Sequence, residues 1–181
     1  VELTDPAVRP LLFKSDHTIR CLCGAFKGAG FRRLLKGTSF NVFWGHTLRE
    51  DKLQKLGRWQ AVNHFPGSYG IGRKDYLWKN LSRQLRQHGK AYDFCAKSYL
   101  LPRDRELLQK VYEEGTVFII KPPASAEGRG IRLANKWEHF PRPNQPAVAQ
   151  EYICNPHLID GKKYDCRIYI GVTSFDPLRM Y

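Results

Sequence analysis

The amino-acid sequence predicts an α/β protein, on three observations. Leu77, Trp78, Leu81 and Leu85 recur at helical spacing within Asp75–His88, which makes an amphipathic helix. From Lys163 to Val172 apolar and polar residues alternate strictly, the period of a strand. A hydrophobic fraction of 42% and an aromatic fraction of 13% over 181 residues suit a packed globular chain. A domain of this size removes roughly 70% of its unfolded surface from water.

Taken in order, the chain opens at Val1 without a methionine, so a further N-terminal segment is expected. Thr18 is placed to cap a short helix, because Ile19, Leu22 and Phe26 follow at spacings of three and four and Gly30 stands where a C-terminal glycine would stop it. Phe40–Trp44, aromatic and β-branched, reads as a short strand. The turn-forming run Asn63-His-Phe-Pro-Gly-Ser68 closes a small first α/β unit. In the Asp75–His88 helix Trp78 is expected as a core side chain and not as a base-stacking platform, with Lys79, Arg83 and Arg86 on another face.

A second helix is expected over Asp104–Glu114, burying Leu107, Leu108 and Val111 and ending at Gly115. Thr116–Lys121 is apolar on both faces until its lysine, as an interior strand should be. A proline-rich connection, Pro141 to Pro146, leads into a strand over Ala147–Ile153. In the last alternating segment Tyr164, Cys166, Ile168, Ile170 and Val172 are expected on a core face. Lys163, Asp165, Arg167 and Tyr169 share the opposite one.

Thirty Lys and Arg against seventeen Asp and Glu give a formal charge of +13. Such a field attracts nucleic acid, anionic membrane, phosphate ligands or an acidic protein surface. A merely solvated basic surface is the plain alternative. The five cysteines (Cys21, Cys23, Cys95, Cys154, Cys166) contain no C-x-x-C pair. That spacing implies neither a disulfide framework nor a zinc site and fits free thiols in a reducing compartment, the cytosol. The six histidines make no H-E-x-x-H, no G-x-S-x-G elbow occurs, and serine-nucleophile and zinc-hydrolase readings fall away. No apolar run approaches the roughly 20 residues that cross a bilayer, and no signal-peptide pattern opens the chain.

Two segments carry chemistry. Lys121-Pro-Pro-Ala-Ser-Ala-Glu-Gly128-Arg-Gly130 sets a lysine at a strand end before a small-residue loop. Backbone N–H groups in such a loop approach phosphates closely, since glycine lacks the Cβ that would block them. It is neither a Walker A loop nor a G-x-G-x-x-G fingerprint, and an ordinary glycine hairpin stands beside the phosphate reading. The Lys163/Asp165/Arg167/Tyr169 face offers two cations and a carboxylate to ribose hydroxyls and phosphate oxygens, or else a solvent-facing cross-strand ion pair.

Four segments together resemble the tubulin tyrosine ligase-like family, most closely its glutamylating members. They are Asn63-His-Phe-Pro-Gly-Ser-Tyr-Gly-Ile-Gly-Arg-Lys74-Asp-Tyr-Leu-Trp-Lys-Asn-Leu-Ser, Lys121-Pro-Pro-Ala-Ser-Ala, Gln150-Glu-Tyr-Ile153 and Lys163-Tyr-Asp-Cys-Arg-Ile-Tyr-Ile-Gly-Val-Thr-Ser-Phe-Asp-Pro-Leu-Arg179. The resemblance covers most of Phe40–Tyr181 and implies an ATP-grasp-like α/β fold. Its N-terminal unit would span residues 1–65, its central unit with the glycine loop 66–152, and the start of a truncated C-terminal unit 153–181.

The same resemblance implies the roles. Lys74 and Lys121 match phosphate-binding lysines, and Gln150, Glu151, Tyr152 and Ile153 the segment that hydrogen-bonds adenine. Lys163, Tyr164 and Asp165 match positions that contact the nucleotide. Arg167 matches the arginine directed at the phosphate region, the expected catalytic residue. Glu127 and Gly128 fall in the glycine loop. Glu127 stands where glutamylating relatives carry Arg or Gln to handle the acceptor, and a carboxylate there repels acidic groups unless paired with a neighbour such as Arg129.

The implied reaction is ATP-dependent: a γ-carboxylate in an acidic tubulin tail is phosphorylated, then attacked by the amine of free glutamate, with Mg²⁺ spreading the phosphate charge. The family's magnesium ligands, an Asp and a Glu-x-Asn pair, lie past the position of Tyr181. No Glu-x-Asn occurs in this sequence, so the metal ligands are expected outside this chain, which alone would be inactive. Expected partners are tubulin tails and free glutamate, with no nucleic acid, no membrane and a monomeric state. The expected location is the cytoplasm and cytoskeleton, extending to the cilium, flagellum or basal body. The alternatives are a non-catalytic basic protein docked on microtubules, or a ligase that adds glycine or modifies a non-tubulin protein.

Overall fold

The computed structural model describes residues 10–181; the opening at Val1 lies outside them. Contacts group the chain into two compact units, Val1–Asn80 and Leu81–Tyr181. The first holds β1 (Leu12–Ser15), α1 (Arg20–Gly28), β2 (Arg32–Arg33), β3 (Val42–Trp44), α2 (Glu50–Leu53), β4 (Ala61–Val62) and α3 (Tyr69–Gly72). Its four strands form one parallel sheet in the order β2-β1-β3-β4.

Phe13 on β1 is fully buried and stacks on Phe26 of α1 at 4.5 Å between ring centroids. One residue on each element therefore seats the helix on the sheet. The end of α1 is fixed by Gly30, whose φ of 84° only glycine adopts cheaply. Its N–H bonds to the Lys27 carbonyl at 3.0 Å and that of Phe31 to Phe26 at 2.9 Å, the paired bonds of a Schellman stop. The expected Thr18 cap does not form. Ile19 occupies the N-cap without a side-chain bond, and the Thr18 hydroxyl instead accepts from Arg33 at 3.5 Å.

Helix α4 (Lys74–His88) runs across the boundary of the two units. None of its residues is fully buried, so the expected core role of Trp78 is corrected to a half-buried one.

The second unit contains β5 (Ser98–Leu101), α5 (Arg105–Val111), β6 (Phe118–Lys121), β7 (Arg132–Ala134) and β8 (Ala147–Glu151). The strands make an antiparallel sheet ordered β5-β8-β6-β7, with β6 interior as its apolar run requires. One face carries Tyr99, Leu101, Phe118, Ile120, Ala147 and Ala149 into the core against Leu108 and Phe140. Tyr112 and Trp137 close its edge, their rings 5.7 Å and 5.0 Å from Phe140. Helix α5 is shorter than the spacing predicts. Seven residues give about two turns, enough to bury only Leu108, and Leu107 and Val111 stay 55% and 46% exposed. Its entry is anchored by Asp104, whose carboxylate accepts the Leu100 N–H at 2.8 Å and pairs with Arg103 at 2.7 Å.

Two hairpins follow, β9 (Leu158–Ile159) with β10 (Lys162–Lys163) and β11 (Val172–Phe175) with β12 (Leu178–Met180). The long strand expected over Lys163–Val172 is not formed: residues 164–170 have no regular secondary structure. Among the described residues no strand lies alongside them, and period-two alternation becomes a strand only where a neighbour takes up the backbone groups. Tyr164, Cys166, Ile168 and Ile170, expected to face a core, are accordingly exposed.

Candidate nucleotide site

Antiparallel register determines which side chains share the second face of the larger sheet. Gln150 lies opposite Ile119 on β6 and Ser98 on β5. Because Lys121 is two residues beyond Ile119, it projects from the face that carries Gln150. That face floors a cavity of about 460 Å³, well within the range of ligand sites.

Six of the residues singled out from the sequence line it: Lys121, Gln150, Glu151, Tyr152, Ile153 and Lys163. The Lys121 ammonium donates to Gln150 Oε1 at 2.5 Å, while Gln150 Nε2 donates to the Ala96 carbonyl at 3.2 Å. The second bond turns the amide so that its oxygen, the only atom able to accept, faces the lysine. Lys163 Nζ lies 5.5 Å from the centroid of the Tyr152 ring, a cation–π distance. The cavity thus has two ammonium groups, that of Lys163 near an aromatic face, a setting suited to an anion bearing a flat ring.

The backbone at the end of β8 is also defined. The N–H groups of Glu151 and Tyr152 are spent on the carbonyls of Lys97 and Val117, each at 2.9 Å. Among the described residues none accepts from the Ile153 N–H, and Ile153 lines the cavity. Tyr99, beneath this end of the strand, has its phenol held above the ordinary range by burial and by the Glu151 carboxylate.

The remaining candidates are placed differently. Lys74 opens α4 and is counted in the first unit. Glu127 and Gly128 sit in the β6–β7 hairpin loop, both with left-handed φ, 58° and 71°. Glu127 does pair with Arg129, at 2.6 Å, so its charge is neutralised locally. The side chains are 74% and 76% exposed, and such a pair contributes little to stability. Without a strand over 164–170, the shared face expected of Lys163, Asp165, Arg167 and Tyr169 is not built. Lys163 lines the cavity and Tyr164 reaches it through His157, hydroxyl to Nδ1 at 3.2 Å. Asp165 and Arg167 are exposed and, among the described residues, make no ion pair.

Asn155, Pro156, His157, Ala96 and Ile119 also line the cavity and were not singled out from the sequence. Ile119 had a usable signal, two residues before Lys121 on one strand. The others come from connections, whose course no periodicity announces.

A family model described as the tubulin-tyrosine ligase family matches residues 50–181. The chain belongs to the tubulin-tyrosine ligase family. Among curated members it is 46% identical over 141 residues to a tubulin monoglutamylase of Homo sapiens, covering 76% of this chain and 12% of that protein. It is 42% identical over 141 residues to a tubulin polyglutamylase of Caenorhabditis briggsae, covering 77% and 24%. The chain therefore spans between about an eighth and a quarter of these relatives. Among solved structures the chain superposes with TM-score 0.52 on the C-terminal domain of K. lactis Pby1, described as an ATP-grasp enzyme, at 18% identity over 83% of this chain and 50% of that one. The α/β fold of this tubulin-tyrosine ligase family chain is thus of the ATP-grasp type expected from its segments.

Proposed function

We propose that this chain supplies the nucleotide end of an ATP-dependent ligase that joins glutamate to the γ-carboxylate of glutamates in acidic tubulin tails. The observation that carries the reading is the oriented Lys121–Gln150 pair in a cavity shared with Lys163 and the Ile153 N–H. It is supported by the relatives at 46% and 42% identity, named tubulin monoglutamylase and tubulin polyglutamylase.

In this reading ATP provides the activation that makes a carboxylate reactive toward an amine. Lys121 and Lys163 hold phosphate oxygens by charge-assisted bonds. Gln150 keeps the Lys121 ammonium in place, so no ordering is needed when negative charge shifts during transfer. Tyr152 and the Ile153 N–H take the base, and Tyr164, Asp165 and Arg167 complete the nucleotide contacts, Arg167 toward the transferred phosphoryl group, while Lys74 keeps the phosphate-binding role that the family resemblance implies. The Glu127–Arg129 pair keeps a carboxylate in the loop from repelling an acidic acceptor. Among the described residues no three His, Cys, Asp or Glu side chains gather as metal ligands. Magnesium is commonly held by one or two carboxylates together with substrate phosphates, and the ligands that the family resemblance implies, an Asp and a Glu-x-Asn pair, are not among the residues lining this cavity. The working protein is placed with the cytoskeleton. No helix among the described residues is long and apolar enough to cross a membrane.

The test is incorporation of labelled glutamate into α- and β-tubulin tail peptides by the protein that carries this chain. Lys121→Ala is expected to abolish incorporation. Undiminished incorporation by that variant, or incorporation of glycine in place of glutamate, would overturn the reading.

A further inference from the structure

Where α4 ends, the chain builds an aromatic row that the ligase reading does not use. Gly89 takes a φ of 60°, a left-handed conformation that costs glycine little, and leads the helix into a short 3₁₀ segment, Gly89–Tyr92. The turn brings Tyr92 back against His88, with 5.6 Å between ring centroids and 38° between planes. Phe94 continues the row, 6.3 Å and 36° from Tyr92. Both spacings lie in the range over which aromatic rings attract one another, so each ring helps to fix the next. None of the three lines the nucleotide cavity.

The row is open to solvent. Phe94 is 68% exposed, His88 is exposed and Tyr92 half-buried. A flat ring left this bare adds nothing to the core of the second unit, which closes instead around Leu108, Phe118 and Phe140. Trp78, the ring weighed as a stacking platform from the sequence, is half-buried and lies earlier on α4; it takes no part.

The charge around the rings has mainly one sign. Arg83 and Arg86 are three apart on α4 and so neighbours on its surface. Lys90 falls between His88 and Tyr92 in the chain, and Lys97 three residues past Phe94. All four are exposed, and among the described residues none pairs with a carboxylate. Between Asp75 and Asp104 the sequence has one acidic residue, Asp93. It stands between the last two rings in the chain, and a carboxylate in that place accepts from the exocyclic amino group of a base.

We propose that the His88–Tyr92–Phe94 row binds single-stranded nucleic acid: unpaired bases stack on the rings, Arg83, Arg86, Lys90 and Lys97 take phosphates, and Asp93 accepts from a base amino group. Rings beside unpaired cations suit such a strand, since every base has a face to stack and every nucleotide a charge. A duplex hides its base faces and offers these rings nothing. An acidic peptide would meet the cations but leave the rings without flat partners. The site neither uses nor requires the nucleotide cavity.

The test is fluorescence anisotropy of a labelled single-stranded oligocytidine, about ten nucleotides long, titrated with the full chain near neutral pH. Ribo and deoxyribo strands form two arms; binding of either supports the site, and their ratio tells which source is preferred. Phe94→Leu keeps the charge and removes the flat face, so it should weaken binding by about tenfold. Lys90→Gln with Lys97→Gln should lower the slope of log affinity against log salt by about 1.4, two phosphates at about 0.7 each. Circular dichroism checks that both variants are folded. Neither should change binding of a fluorescent ATP analogue, and excess ATP should not displace the oligomer, which separates this site from the nucleotide cavity. No binding, full binding by Phe94→Leu, displacement by ATP, or equal competition by a duplex of the same length or by polyglutamate would overturn the proposal.

Discussion

The ammonium of Lys121 is held 2.5 Å from Oε1 of Gln150, and Gln150 is itself aimed by a bond to the Ala96 carbonyl. The lysine on β6 is thus positioned from β8, and β8 from the segment that leads into β5. A point charge on a flexible four-carbon stem becomes a fixed one.

Lys121→Ala should weaken binding of a fluorescent ATP analogue by about ten- to a hundredfold, the loss of one charge-assisted contact. Gln150→Leu keeps the charge and removes only its anchor, so its effect should be smaller. Fluorescence titration of both variants checks the order. A Gln150→Leu effect larger than that of Lys121→Ala would mean that the amide, not the lysine, meets the ligand.

Gly130 combines a φ of 72° with a Cβ position only 2.9 Å from Pro122 Cγ. Gly128 has nearly the same φ, 71°, and open space around it. Gly128→Ala should therefore cost about 1 kcal/mol through backbone strain alone, and Gly130→Ala more, since a proline ring must also move. Chemical denaturation of the two variants decides it; equal costs would show that the ring yields freely.

Asp104 predicts an acid-sensitive increment of stability. Burial raises its pKa, but the Arg103 guanidinium and the Leu100 N–H outweigh that, and the net shift is downward. A carboxyl with a depressed folded-state pKa stabilises the protein fully above the unfolded value, about 3.9, and loses that contribution as pH falls through the folded value. Asp104→Asn should cost about 1–2 kcal/mol near neutrality, mainly from the charged bond to the backbone. The gap between the variant and the parent should narrow below about pH 4. Urea melts across that range test it, and a gap constant with pH would contradict the assignment.

Leu108 is fully buried in the core of the second unit. Leu108→Ala should destabilise that unit by about 2–5 kcal/mol, whereas Leu107→Ala, at a residue 55% exposed, should cost well under half of that. Thermal unfolding of both checks the contrast.

How far the sequence revealed this molecule depended on whether a pattern had its partner in the chain. The interior strand ending at Lys121 was legible because unbroken apolar residues have few other homes, and β8 was legible for the same reason. Gly30 announced the end of α1 because only glycine makes that turn cheaply. The 163–172 alternation misled: period two records what a segment would bury beside a neighbour, and none lies alongside residues 164–170 among those described. Of the cavity residues on strands, Lys121, Gln150, Glu151 and Lys163 were singled out, and Ile119 was overlooked although it stands two residues before Lys121 on one strand; Ala96, Asn155 and His157 were missed because loop courses are set by what they connect. Thr18 misled because a hydroxyl near a helix start can serve another donor, in this chain Arg33.

The alternation of β6 has a consequence for genetics. Phe118 and Ile120 are 1% and 3% exposed in the core, while Ile119 and Lys121 line the cavity. A saturation scan scored separately for protein abundance and for ligand occupancy should split this strand residue by residue. Polar substitutions at Phe118 and Ile120 should deplete the protein itself; those at Ile119 and Lys121 should leave it plentiful and empty.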